Sequence, residues 1–109
     1  MALTLYGLKT CDTCRKALKA LNAAGRDVTF ADIRETPLPL EAWLDTAGAY
    51  ILVNKRSTTW RGLSETERAQ APNIVLETHR TLIKRPVITR GNEIFVGWTP
   101  AVQKALLGD

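Results

Sequence analysis

The sequence contains very little cysteine and histidine, and this limits the kinds of site it can build. Its 109 residues include two cysteines and one histidine, His79. A small secreted domain that is stapled by disulfides carries more cysteines than this. A structural zinc site usually needs four ligands, and His79 lies far along the chain from both cysteines. We therefore expect neither a disulfide scaffold nor a bound metal ion.

Long apolar runs and clusters of a single charge are also missing. No apolar run approaches the ~18 residues of a membrane span, and the first residues lack the basic flank of a secretory signal. The net charge of +4 comes from 15 basic and 11 acidic residues, which are interspersed rather than gathered into a basic arm. We expect a cytoplasmic protein with no membrane segment and no nucleic-acid partner. The excess of positive charge either belongs to an ordinary solvated surface or serves to attract an anionic small molecule.

The first third of the sequence predicts a βαβ unit. Leu3–Gly7 is typical of a short buried strand, residues 15–24 of a helix that stops at Gly25, and residues 28–33 of a second strand. Because a helix joins the two strands, we expect them to be parallel.

The middle third predicts helices. Residues 40–47 form a helical segment that stops at Gly48, residues 54–59 form a polar loop, and Ser64 begins a capping pattern with Glu67. Another helix is expected over about 73–82.

The last third predicts a hairpin followed by a helix. Residues 86–89 and 94–96 flank a turn over Gly91 and Asn92, and Thr99 can cap a helix that runs to Leu107. The order β-α-β, helical insertion, β-β-α is typical of a thioredoxin-like α/β fold with a mixed four-stranded sheet. The length suits one domain over 1–109, with the insertion at about 39–82. Nothing in the sequence indicates an oligomer, so we expect a monomer.

The motif Cys11-Asp12-Thr13-Cys14 lies where the first strand turns into the first helix. Unsatisfied N–H groups and the positive end of the helix dipole favour an anion there, so they lower a cysteine pKa. Cys11, on the loop side, is the candidate nucleophile, and Cys14, one turn further in, is the candidate resolving thiol. The spacing and its strand-helix setting predict thiol redox chemistry, against the alternative of two structural cysteines.

A second segment, Lys84-Arg85-Pro86-Val87, opens the predicted hairpin. Thioredoxin-like proteins keep a cis peptide bond at a proline in this position, although a proline is tolerated at the head of a strand in either isomer. Arg85 could then stabilise a thiolate at Cys11 or hold an anionic substrate. Pro86 and Val87 are predicted to line the substrate site.

Other residues are weaker candidates. Lys9 and Thr10 flank the nucleophile and could contact a bound thiol. Arg56 lies in a basic segment, residues 54–61, that could form one wall of the active-site cleft or an ordinary solvated loop. We assign three tryptophans and the histidine to packing or to helix ends: Trp43, Trp60, Trp98 and His79.

Four segments together resemble the arsenate-reductase-like family, which comprises ArsC, Spx and YffB proteins. They are residues 5–17, 54–61, 83–87 and 95–98, so the resemblance spans essentially the whole chain and is strongest to the YffB branch. It implies a thioredoxin-like domain with an added helical segment, a single essential cysteine at Cys11, and an arginine before a cis-proline at Arg85. It also implies a glutathione-dependent thiol reductase, with glutathione as co-substrate and no tightly bound cofactor.

Two departures from the family pattern leave alternatives open. Classical arsenate reductases of this family use three arginines, and Arg85 matches one of them. At the position of the second arginine this chain has Asn54, with Arg56 nearby. Residues 96–98, where the third is expected, contain no arginine. Since charged hydrogen bonds contribute ~1.5–3 kcal/mol each, this argues against arsenate as the substrate. Cys14 leaves open whether glutathione or an internal thiol resolves the mixed disulfide. A redox-sensing regulator that binds RNA polymerase, as Spx does, is the other alternative.

Overall fold

The computed structural model of the chain describes residues 2–108 and contains a mixed four-stranded sheet in the order β2-β1-β3-β4. Its strands are β1 Leu3–Gly7, β2 Val28–Asp32, β3 Val87–Arg90 and β4 Glu93–Val96. Strand β1 runs parallel to β2 and antiparallel to β3, and β3 pairs antiparallel with β4. The predicted thioredoxin-like α/β class is confirmed.

The chain divides into two compact units. One combines Met1–Thr36 with Arg85–Asp109 and holds the sheet, and the other is the helical segment Pro37–Lys84. The helical unit is slightly longer than the insertion predicted at about 39–82.

Helices α1 Asp12–Ala23 and α7 Pro100–Leu107 belong to the sheet-containing unit. Helix α1 buries Cys14, Ala17 and Leu21, which lie on one stripe because they are three and four residues apart. This stripe packs with residues of β1, β3 and α7 in one apolar cluster, which contains Leu3, Leu5, Cys14, Ala17, Leu21, Ile88, Val102 and Leu106.

The ends of these two helices follow the predicted signals, with one difference. Thr99 caps α7 by accepting a hydrogen bond from the Val102 N–H at 3.2 Å, and Gly25, with φ of 77°, follows α1 in a left-handed conformation that favours glycine. Helix α1 begins at Asp12, three residues earlier than expected, because extended Cys11 takes the N-cap position.

The unit Pro37–Lys84 contains short helices, several of which bury apolar side chains. They are α2 Leu40–Ala47, α3 Ala49–Leu52, α4 Thr58–Arg61, α5 Glu65–Arg68 and α6 Pro72–Thr78, followed by a 3-10 turn over Arg80–Leu82. An isolated antiparallel β-bridge pairs Val53 with Ile83 within this unit. Trp43 is 3% exposed, which confirms its packing role. No helix within residues 2–108 is long and apolar enough to cross a membrane.

Local capping explains where this unit differs from the prediction. Residues 58–61 are helical, although a loop was expected up to residue 59, because Ser57 accepts a hydrogen bond from the Trp60 N–H at 3.1 Å. The Ser64–Glu67 capping box is confirmed. Helix α6 ends at Thr78 rather than near 82, since His79 leaves the helical conformation and bonds Glu67 through its ring at 3.2 Å.

Candidate active site

The turn between β1 and α1 places both cysteines at the end of the central strand pair. The Leu8 carbonyl accepts a hydrogen bond from the Cys11 N–H at 3.1 Å, and the Cys11 carbonyl accepts from Arg15 at 3.0 Å as the helix begins. Cys11 is therefore held half-buried at the N-cap, whereas Cys14, in the first turn, is 1% exposed. Both side chains are free thiols.

The surroundings of Cys11 favour its thiolate. Partial burial raises its pKa, but the backbone N–H and the thiol of Cys14 and the guanidinium of Arg85 together outweigh burial and hold the pKa below its usual range. The Cys11 side chain does not form an N-cap hydrogen bond with the helix. The Cys14 N–H nevertheless lies close enough to the Cys11 sulfur to stabilise its thiolate. The result is a nucleophile that ionises more readily than an ordinary thiol.

Cys14 behaves in the opposite way. Burial, reinforced by the neighbouring Cys11 sulfur, raises the pKa of Cys14 to about 11, although the Leu8 N–H partly offsets this. Cys14 is thus a protonated thiol that donates a hydrogen bond to the Cys11 sulfur.

The antiparallel pairing of β1 and β3 explains how Arg85 reaches this turn. Tyr6, near the end of β1, pairs with Val87, at the start of β3, so the residues just before β3 lie beside the turn that follows β1. The Arg85–Pro86 peptide bond is cis, as predicted. The Pro86 carbonyl accepts a hydrogen bond from the Gly97 N–H at 2.8 Å, which ties this segment to the end of β4.

The other predicted site residues fall into different environments. Lys9 and Thr10 are exposed on the turn before Cys11. Pro86 and Val87 were predicted to line the substrate site. Both side chains are fully buried, and their contact with a substrate stays a prediction.

The segment around Arg56 belongs to the helical unit. Arg56 is exposed, and its backbone N–H donates to Asn54 Oδ1 at 3.1 Å. The ring of Trp60 is half-buried and is flanked by the Lys55 ammonium at 5.5 Å and the Arg68 guanidinium at 5.4 Å. A role for Arg56 beside Cys11 stays a prediction.

Gly7 is a positioning residue that sequence reasoning did not identify. A Cβ atom on Gly7 would lie 2.5 Å from the Cys14 sulfur and 3.2 Å from the Cys14 Cβ. In the sequence, Gly7 ends a predicted buried strand, four residues before Cys11. A glycine within a strand can mark a place where another group approaches the backbone closely. Gly7 therefore makes room for Cys14 beneath the turn.

We expect Gly7→Ala to lower the free energy of unfolding by about 1–3 kcal/mol, the usual cost of overpacking a core. Urea denaturation measures this, with Gly62→Ala as the matched control, because a Cβ on Gly62 meets its nearest neighbour at 3.5 Å. In a Cys14→Ala background the sulfur is gone, so Gly7→Ala should cost about 1 kcal/mol less. An equal cost in both backgrounds would show that the sulfur is not what excludes a side chain at position 7.

These groups can carry out nucleophilic chemistry at sulfur. A Cys11 thiol with a lowered pKa can attack a disulfide as the thiolate, and the Arg85 guanidinium can stabilise the resulting anions. Within residues 2–108, no group of three or more His, Cys, Asp or Glu side chains is arranged to hold a metal ion.

Comparison with known proteins places this site in a family. The model of the ArsC family matches residues 6–106. An uncharacterised protein of Haemophilus influenzae is 37% identical over 103 residues, which cover 88% of this chain and 90% of the relative.

Two solved structures share the fold over nearly their whole length. The YffB protein superposes with a TM-score of 0.87 at 29% identity, covering 96% of this chain and 98% of its own. An arsenate reductase (ArsC) related protein from Brucella melitensis superposes with a TM-score of 0.76 at 34% identity, covering 96% and 93%. With a family match across both cysteines and Arg85, the chain belongs to the ArsC family.

Proposed function

We propose that the protein is a thiol-disulfide oxidoreductase that uses Cys11 as its nucleophile and glutathione as its co-substrate. The observation that carries this proposal is the half-buried Cys11, whose pKa is lowered by Cys14 and Arg85. Membership of the ArsC family supports an oxidoreductase enzyme. Glutathione is the co-substrate that the resemblance to YffB-like proteins implies, and the expected location is the reducing cytoplasm.

In the first step, the Cys11 thiolate attacks one sulfur of a disulfide R–S–S–R′. A Cys11–S–S–R bond forms, the S–S bond of the substrate breaks, and R′–S⁻ leaves and takes a proton from solvent. Arg85 can stabilise negative charge at this point, because a guanidinium binds anions through charge-assisted hydrogen bonds. The R′ sulfur is reduced to a thiolate while the Cys11 sulfur enters a disulfide and is oxidised in its place; the two-electron reduction of the substrate is complete only after the second step.

In the second step, a thiol attacks the mixed disulfide. When R is a glutathionyl group, a glutathione thiolate attacks its sulfur, which yields oxidised glutathione and restores the Cys11 thiolate. Cys14 is the competing nucleophile, but its burial and its raised pKa of about 11 make it a weak one at neutral pH. An external thiol is therefore the favoured resolving group.

Mass spectrometry after treatment with oxidised glutathione tests this assignment. We expect one glutathionyl group on Cys11 in the wild type and in Cys14→Ser, and we expect Cys14→Ser to keep at least about half of the glutathione-dependent turnover. A dominant Cys11–Cys14 disulfide would make Cys14 the resolving group instead. Absence of an adduct on Cys11 in Cys14→Ser, where no internal disulfide can form, would overturn the proposed function.

Arsenate is the second acceptor to assay, because the Brucella relative is named as arsenate-reductase-related and Arg85 acts on the candidate nucleophile. We expect no arsenate turnover with glutathione under conditions in which disulfides are reduced, since two arginines of the classical triad are missing. Binding to RNA polymerase stays a prediction for the regulator alternative, and retrieval of polymerase subunits by the oxidised protein would support it.

A further inference from the structure

We propose that an apolar pocket beside the CxxC turn binds a hydrophobic substituent of the substrate, so that the preferred substrate is a small mixed disulfide of glutathione with an apolar thiol. This inference rests on the proposed function and adds a substrate class to it. It comes from a cavity on the β2 side of the turn.

The pocket has a volume of about 280 Å³ and is lined by Leu8, Lys9, Cys14, Arg15, Leu18 and Phe30. All six residues belong to the unit that holds the sheet. Leu18 and Phe30 are only partly buried, and both pack against the apolar cluster beneath the helix. A bound apolar group would therefore extend this cluster outwards and remove its exposed surface from water, which is favourable.

The pocket adjoins a residue that contacts the reacting sulfur. Cys14 forms part of the pocket wall, and its thiol and backbone N–H both act on the Cys11 sulfur. The pocket therefore lies one side chain away from a disulfide that meets Cys11.

The sheet order separates this pocket from Arg85. Strands β2 and β3 lie on opposite sides of β1; Phe30 comes from β2, whereas Arg85 directly precedes the cis-proline before β3. A disulfide at Cys11 thus has a guanidinium on one side and, on the other, an apolar pocket that also carries the Lys9 ammonium. This asymmetry suits a mixed disulfide with one anionic half and one apolar half.

Two cationic side chains, Lys9 and Arg15, line the pocket. Arg15 is held by Asp12, and Asp32 is bound by Arg34 through its side chain at 3.0 Å. The exposed Lys9 ammonium forms no ion pair with the described residues, although it lies close enough to Asp32 to contribute, after Arg34, to lowering its pKa. Lys9 is the cation left to meet a substrate carboxylate.

Steady-state kinetics with two probes test the proposal. The probes are the glutathione mixed disulfides of 2-phenylethanethiol and of 2-mercaptoethanol, which differ in the apolar ring. We expect wild-type kcat/KM to be about tenfold higher for the phenylethyl probe, the scale of discrimination that a hydrophobic pocket provides. Lys9→Met should lower kcat/KM for both probes by a similar factor.

Leu18→Trp fills the pocket and should bring the two kcat/KM values to within about twofold of each other. Leu107→Trp is the matched control, because Leu107 is partly buried against the same cluster but does not line the pocket; the preference should survive there. If Leu18→Trp fails to fold, iodoacetamide labelling of Cys11 in the wild type tests the pocket instead. 2-Phenylethanol should slow this labelling, whereas glycerol at equal concentration should not.

The outcomes separate this inference from the proposed function. Equal wild-type kcat/KM for both probes, or a preference that persists in Leu18→Trp, overturns the pocket assignment and leaves the thiol-disulfide oxidoreductase standing. Failure to reduce either probe overturns both.

Discussion

Replacing Cys11 with serine should abolish glutathione-dependent disulfide reduction, with a loss in kcat/KM of at least about 10³-fold. A hydroxyl at this position cannot form the mixed disulfide, and loss of a covalent nucleophile is among the largest effects that a single substitution produces. The assay follows oxidised glutathione produced from a mixed disulfide in the presence of excess glutathione.

Cys14→Ser is the matched control for this experiment, because it makes the same atomic change one helical turn away. It should retain at least about half of the activity, since Cys14 is buried and protonated. Equal losses in the two variants would mean that both sulfurs react in the cycle. Substantial activity in Cys11→Ser would remove Cys11 from the mechanism.

Replacing Arg85 with methionine should raise the pKa of Cys11 and slow the reaction at neutral pH. The guanidinium lowers this pKa through a hydrogen bond and its charge, after the contributions from Cys14. Because the thiolate is the reactive form, its fraction rises with pH through the pKa. Without Arg85 that rise should move to higher pH, and kcat/KM at pH 7 should fall about tenfold, the lower end of what a charge-assisted hydrogen bond contributes.

The pH dependence of Cys11 alkylation by iodoacetamide, which is uncharged, measures this shift directly. Arg85→Lys should lie between the wild type and Arg85→Met, since it keeps the charge but loses the forked geometry. Arg90→Met is the matched control: it removes one guanidinium at the far end of β3, where Arg90 pairs with Glu93. A titration midpoint that stays in place in Arg85→Met, or moves equally in Arg90→Met, would contradict the role of Arg85.

Most of the secondary structure could be predicted because its signals are local. Strand β1, helix α2 and helix α7 follow their apolar patterns and end residues closely, and the Ser64–Glu67 box marked α5. Helix α4 was missed because its cap, Ser57, sits within a run of polar residues that is equally typical of a loop.

The buried side chain of Val87 illustrates a different limit. Its position after the predicted cis-proline suggested contact with substrate, whereas the burial of a strand residue depends on which elements cover its face of the sheet. Here β3 lies inside the sheet, between β1 and β4, and Val87 is fully buried. Nothing near residue 87 in the sequence specifies that arrangement.

By itself the sequence determined the fold class and the family resemblance, and it predicted Cys11 as the nucleophile, because a CxxC at a strand-helix junction is a contiguous pattern whose chemistry follows from its position. Only the tertiary structure decided how the two thiols differ, that Gly7 makes room for one of them, and that apolar residues from β1, α1 and β2 enclose a pocket beside it. Such properties depend on burial and on contacts between residues distant in sequence, and these exist only once the chain has packed.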